Sequence, residues 1–189
     1  MIAAEEALDS GPDMAAPAAL LVRFAHLLTP ALPGPVLDLA CGAGANGLYL
    51  AARGLPVILS DRAADRLAVA RAAARRAGIE AVIWQVDLER SGENPLPERT
   101  YGAILVFRYL HRPLLPCIDK ALNPGGLIVY ETYLAAQAAI GRPKNPDFLL
   151  NPGELARSFA GYEILHAFEG ELPGPRRFAA QLVARKPST

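Results

Sequence analysis

Six residues in the first half of the chain have the types and spacing to hold a charged, hydroxyl-bearing ligand. Gly42, Gly44 and Gly47 form a G-x-G-x-x-G pattern inside VLDLACGAGANG, residues 36–47. Glycines at this spacing permit a tight turn and let a ligand come close to the backbone. Asp38 stands just before that turn. A carboxylate there repels a diphosphate and suits a ligand with a cationic end, such as the ammonium of a methionyl group. Asp61 follows a second apolar run, nineteen residues past Gly42. An ionised carboxylate at such a strand end accepts hydrogen bonds from both hydroxyls of a ribose. Asp87 follows a third run and is placed to accept from the amino group of adenine.

For these acids to meet, the chain must bring several strand ends to one edge of a sheet. The apolar pattern predicts this. An amphipathic helix is expected over Ala18–Leu28, ended by Pro30 and Pro33. Strands are then expected at Val36–Leu39, Pro56–Leu59, Ala81–Val86, Tyr101–Phe107 and Leu127–Thr132. Helices are expected at Asn46–Arg53, Arg62–Ala77 and Leu114–Leu122, the last closed by Asn123-Pro124-Gly125-Gly126. Such alternation implies a mostly parallel sheet with helices on both faces. Leu134–Asn151 reads as an irregular loop, long enough to be a cover for a binding pocket; alternatively, Phe148, Leu149 and Leu150 pack the sheet edge. A short helix is expected over Pro152–Phe159. Tyr162–Glu171 and Arg176–Arg185 close the chain as an antiparallel hairpin.

The chain of 189 residues suits one α/β domain, read as residues 18–189 behind a flexible arm of residues 1–17. Its formal net charge is zero, so bulk electrostatics give no reason to expect nucleic acid or an anionic membrane as partner. Arg75 and Arg76 read as a solvated helix face. Cys41 and Cys117, without metal-ligand spacing, suit a reduced, cytoplasmic protein. The N-terminus lacks a basic start before an apolar run, so no secretory signal is expected. No apolar stretch is long enough to span a bilayer, and no metal site is expected.

The order of these segments resembles the class I S-adenosylmethionine-dependent methyltransferases. VLDLACGAGANG is similar to their first motif, VILSD to their second and QVDL to their adenine-contacting segment. YGAILVFRYL and LNPGGLIVYE resemble their fourth- and fifth-strand motifs. The resemblance runs from about Leu32 to Tyr133. RYLHRPLLP and NPDFLLNPGEL are also similar to small bacterial members labelled tellurite-resistance-like. The resemblance implies a Rossmann-like methyltransferase fold of about seven strands, with S-adenosylmethionine as cofactor. It implies cofactor contacts at Asp38, Ala40, Gly42, Gly44 and Asn46, at Asp61, Asp87 and Leu88, and at Phe107. Arg62 departs from the family, where an apolar residue often packs on adenine; its guanidinium either stacks on the ring or points to solvent.

The resemblance also places the loop after the fourth strand beside the transferred methyl. Its polar residues Arg108, Tyr109 and His111 are the catalytic candidates. An imidazole is the side chain suited to a general base, so His111 is the base candidate, or else it bonds a backbone carbonyl and positions the loop. Arg108 or Arg112 suits an acidic or oxyanion substrate, or a surface ion pair. Glu131, Thr132 and Tyr133 end the fifth strand, and alternation allows only some of them to face the cleft. Trp84 reads first as core. His26 lies on the N-terminal helix, where a lid role is the lesser alternative, and His166 sits in a late strand with no assigned partner. Phe107-Arg108-Tyr109-Leu110 stands where many amino-group methylators carry Asn-Pro-Pro-Tyr or Asp-Pro-Pro-Tyr. The expected acceptor is therefore a small molecule, with a thiol or oxyanion in view. Two other readings stay open: a non-catalytic protein that binds the cofactor or a partner, and a nicotinamide-dependent oxidoreductase supported by the glycines and Asp61.

Overall fold

The computed structural model describes residues 16–90 and 94–188. All but the last two residues of the expected N-terminal arm lie outside it. Seven strands form one sheet: β1 (Val36–Leu39), β2 (Val57–Asp61), β3 (Val82–Gln85), β4 (Tyr101–Phe107), β5 (Leu122–Tyr133), β6 (Glu163–Leu172) and β7 (Arg177–Arg185). Their spatial order is β3-β2-β1-β4-β5-β7-β6. The first five run parallel, and β7 pairs antiparallel with both β5 and β6. The order reverses between β1 and β4, so a crevice opens at the carboxyl ends of those two strands.

The central strands are apolar at nearly every position because both of their faces are covered. Along β4, Leu105 points toward one side while Ile104 and Val106 point toward the other, and all are fully buried. Leu20 and Leu21 of α1 (Ala19–Phe24), Leu48 of α2 (Ala45–Ala51) and Ala70 and Ala74 of α3 (Ala64–Ala77) cover the first face. Ile118 of α4 (Leu115–Ala121) and Leu155 of α5 (Glu154–Ser158) cover the second, with Phe159 behind them. Packing on both sides thus fixes the central strands β1 and β4, whose ends meet the crevice.

Two elements differ from the sequence expectation. The first helix stops at Phe24 and tightens to a 3-10 turn over Ala25–Leu27 before Pro30, with about three residues per turn in place of about 3.6. Asn123-Pro124-Gly125-Gly126 does not separate helix from strand. β5 already begins at Leu122, and the four residues form an irregularity between the pairs Tyr101↔Leu122 and Ala103↔Leu127. Gly125 adopts φ of 76° there and donates its N–H to the Lys186 carbonyl at 3.0 Å. The extra residues are held by the C-terminal strand, a partner too distant in sequence to anticipate.

Residues 134–151 are stitched rather than loose. Leu150 donates its N–H to the Tyr133 carbonyl and Ala135 donates to the Leu150 carbonyl, both at 2.9 Å, so the two ends of the loop lie side by side. Gln137, buried inside the loop, accepts from the Phe178 N–H at 2.8 Å and donates to the Arg142 carbonyl at 3.0 Å.

Gly47 shows how tightly α2 sits on the sheet. A Cβ there would overlap the buried Leu59 side chain and lie 3.1 Å from the Asp38 Cβ. Gly47→Ala is expected to destabilise the chain by about 1–3 kcal/mol through overpacking, read as a lowered midpoint in urea. An unchanged midpoint would mean α2 can lift without cost.

Candidate functional site

The glycine-rich turn is built by backbone that side chains pull into shape. Ala40, Gly42 and Gly44 take φ of 54°, 57° and 81°, three left-handed residues within five. Ala40 is the costly one, because its Cβ crowds the following carbonyl. Two carboxylates hold the turn. Asp38 Oδ2 accepts the Gly47 N–H at 2.8 Å, and Asp61 Oδ2 accepts the Gly42 N–H at 2.8 Å. The other Asp61 oxygen accepts the Ala63 N–H at 2.8 Å, fixing where α3 begins. Asn46 Oδ1 accepts the Ala18 N–H at 2.8 Å, tying α2 to the start of α1.

Above this turn lies a cavity of about 520 Å³, a size usual for small-molecule sites. One end is acidic and comes from the ends of β2 and β3: Asp61, Asp87 and Glu89, with Arg62, Val86 and Leu88 between them. Asp87 Oδ1 accepts the Glu89 N–H at 3.0 Å, and Arg62 pairs with Glu89 at 3.3 Å. The other wall is Phe107-Arg108-Tyr109-Leu110, running off β4. Tyr133 from β5 and Pro143 and Phe148 from the stitched loop complete it, and Ala40 joins from the turn.

Of the residues expected at a cofactor site, Ala40, Asp61, Arg62, Asp87, Leu88 and Phe107 therefore share one cavity. Asp38, Gly42, Gly44 and Asn46 lie outside its lining and instead build the turn beneath it. The structure gives Asp38 a hidden post: it is 1% exposed and spends one oxygen on Gly47. Arg108 and Tyr109 line the cavity, whereas His111 does not. His111 instead heads the short 3-10 turn Arg112–Leu114, with its carbonyl accepting the Leu114 N–H at 2.9 Å.

Arg112 is no substrate clamp. Its guanidinium grips both oxygens of Glu154 at 2.6 and 3.0 Å and donates to the carbonyls of Leu149 and Asp147 at 2.7 and 3.1 Å. It pins the far end of the stitched loop to the end of β4. Alternation sorts the end of β5: Tyr133 reaches the cavity. Glu131 accepts from Gln181 Nε2 at 2.7 Å and from Arg177 at 3.2 Å, and the buried Thr132 hydroxyl has no hydrogen-bond partner among the described residues. Gln181 also meets His166 Nε2 at 3.1 Å, and the His166 ring lies 5.1 Å from that of Phe24. Trp84, in β3, packs half-buried against the core and stays off the cavity wall. Sequence reading missed Glu89 and the Glu131–Arg177–Gln181 cluster. Glu89 had a signal, being two residues after Asp87 in a polar loop; the cluster depends on hairpin register and had none.

Burial sets the protonation states. It raises Asp38 to about 7, with the Asp61 carboxylate adding to the shift and the Gly47 N–H opposing it. Burial, then the Asp38 and Asp61 charges, pushes the Cys41 thiol far above its ordinary range, so it is no thiolate nucleophile. Burial and the neighbouring Glu89 hold the Tyr109 phenol well above its usual value. Cys41 and Cys117 are both free. Among the described residues no cluster of His, Cys, Asp or Glu is arranged to hold a metal ion, and no helix is long and apolar enough to cross a membrane.

The Asp38 shift has a definite sign. A carboxyl that holds its proton more tightly when folded gives stability that is full below about pH 4 and is lost as pH rises toward 7. Asn keeps an acceptor for the Gly47 N–H without the buried charge. Asp38→Asn is therefore expected to melt higher than the ligand-free parent at pH 8, with the gap closing as pH falls through 7 to 4. A gap independent of pH would mean Asp38 ionises freely.

The family described as a methyltransferase domain matches residues 36–126, from β1 through the irregular start of β5. Several solved structures share the fold. TehB from Haemophilus influenzae superposes with a TM-score of 0.74 at 24% identity, over 88% of this chain and 61% of that one. The chain thus spans less than two thirds of the TehB length. An S-adenosylmethionine-dependent methyltransferase from Mesorhizobium loti gives 0.62 at 20% identity, over 89% of this chain and 99% of that one. The cyclase SpnF gives 0.66 at 20% identity, over 88% and 81%. No curated protein matches the sequence. The matched segment and the seven-stranded sheet that carries it make the chain similar to the S-adenosylmethionine-dependent methyltransferases.

Proposed function

We propose that the chain, acting as one domain over residues 18–189, transfers the methyl group of S-adenosylmethionine to a small-molecule acceptor whose nucleophile is a thiol or an oxyanion. The observation that carries this reading is the shared cavity of Asp61 and Asp87 with the wall Phe107–Leu110. The donor set fits that cofactor. Asp61 is already oriented by two backbone N–H groups and offers its remaining lone pairs to the ribose hydroxyls. Asp87 suits the adenine amino group, with Val86 and Leu88 beside the ring. Asp38, buried below the turn, supplies negative charge toward the methionyl end. The same arrangement disfavours a dinucleotide, because residues 36–47 contain no Arg or Lys while two carboxylates hold their turn.

When bound, the cofactor supplies a methyl group already activated by its sulfonium, so the protein mainly orients the reactants and excludes water. Phe107, Tyr109, Tyr133 and Phe148 supply apolar walls for that purpose. The cavity wall on the acceptor side offers no base: Tyr109 keeps its proton, and His111 is off the lining. An acceptor that arrives as thiolate or oxyanion needs none, which is why those nucleophiles are favoured. Free Cys41 and Cys117 and a net charge of zero support a cytoplasmic protein with no nucleic-acid partner.

Calorimetric titration with S-adenosylhomocysteine, with NADH in parallel, tests the cofactor. Micromolar binding of the first alone is expected, and binding of NADH alone would reverse the reading. Asp61→Asn, which keeps an acceptor for the turn, is expected to weaken S-adenosylhomocysteine binding about tenfold, or ~1.4 kcal/mol, while the melting curve stays close to the parent's. Unchanged affinity would place the ribose elsewhere.

A further inference from the structure

The cavity wall that runs off β4 carries a cation that has no partner among the described residues. Arg108 is exposed, lines the cavity and has φ of 58°. A long side chain rarely adopts this left-handed conformation, which is kept where the surroundings impose it. The imposing contact is its own N–H, which donates to the Glu131 carbonyl at 2.8 Å. That bond extends the β4–β5 ladder one residue past Phe107. Among the described residues the Arg108 guanidinium has neither hydrogen bond nor ion pair. Three other arginines near the site are paired: Arg62 with Glu89, Arg112 with Glu154 and Arg177 with Glu131.

This cation shares its cavity with several aromatic rings. Tyr133 and Phe148 line the same cavity, and Phe148 is 49% exposed although the loop that carries it is stitched to the fold on both sides. A ring left open to water on a fixed loop and a free guanidinium in the same cavity match an acid with a flat apolar body. Arg pairs the anionic group with planar, forked geometry and tolerates an aromatic neighbour.

We propose that the acceptor is a small aromatic acid, with its anionic group on Arg108 and its ring against Tyr133 and Phe148. The inference rests on the methyl-transfer reading, because it takes the acidic end of the cavity as the cofactor's. The competing occupant of Arg108 is the cofactor's own carboxylate.

Salicylate and its neutral isostere salicylamide separate these cases. Each is titrated into the protein saturated with S-adenosylhomocysteine. Salicylate is expected to bind at least tenfold more tightly than salicylamide. Arg108→Met is expected to abolish that preference while S-adenosylhomocysteine affinity stays within twofold, and Arg108→Lys to keep part of the preference. Melting curves establish that both variants fold. Equal binding of the two probes, binding of neither, or a preference that survives in Arg108→Met overturns the proposal. A tenfold loss of S-adenosylhomocysteine affinity in Arg108→Met also overturns it and assigns the arginine to the cofactor. Failure of the cofactor reading is visible separately, as a parent protein that does not bind S-adenosylhomocysteine; the comparison of probes is then read on the free protein with the same criteria.

Discussion

Two carboxylates folded against one glycine-rich turn set the terms for the rest of the molecule. Asp38 holds the Gly47 N–H and Asp61 holds the Gly42 N–H. Between them they fix the exit of β1, the entry of α2 and, through Ala63, the entry of α3. The arrangement brings like charges together beneath buried backbone, and Asp61 is one of the causes that raise Asp38. An unpaired buried charge is costly, so the turn is least comfortable without a cation nearby. A sulfonium with an ammonium relieves that repulsion; a diphosphate aggravates it. The electrostatics that shape the turn thus select the kind of ligand it accepts.

Much of this was legible because it is local. The β4 boundaries, Tyr101–Phe107, follow from an apolar run bracketed by polar segments, and Asp38, Asp61 and Asp87 stand where short apolar runs stop. The parts that were not legible depend on partners far along the chain. Arg112 meets Glu154 across 42 residues and Glu131 meets Gln181 across 50. Neither pairing exists until the sheet has its register. Nothing near His111 in sequence shows that the chain turns there into a 3-10 segment and takes the ring off the cavity wall. The start of β5 follows the same logic, since Pro124-Gly125-Gly126 reads as a turn until the C-terminal strand arrives to pair with it.

The same sheet serves more than one chemistry, as its likeness to the cyclase SpnF shows. Fold alone therefore decides little about reaction. What bears on reaction is the lining of one cavity, which combines carboxylates with rings and an arginine. The two sets are supplied by different parts of the chain. β2 and β3 supply the carboxylates, while β4, β5 and the stitched loop supply the rings.

That division has a consequence for how such a protein can change. Because Leu134 and Leu150 meet at the base of residues 134–151, everything between them is an excursion that leaves and rejoins the fold at nearly one point. Within that excursion the buried Gln137, Leu149 and Leu150 anchor the chain to β7 and to Arg112, and they hold the exposed Phe148 over the cavity. The loop is therefore a handle on one wall of the cavity: a change at Phe148 alters that wall, while the glycine-rich turn, held by Asp38 and Asp61, stays as it is.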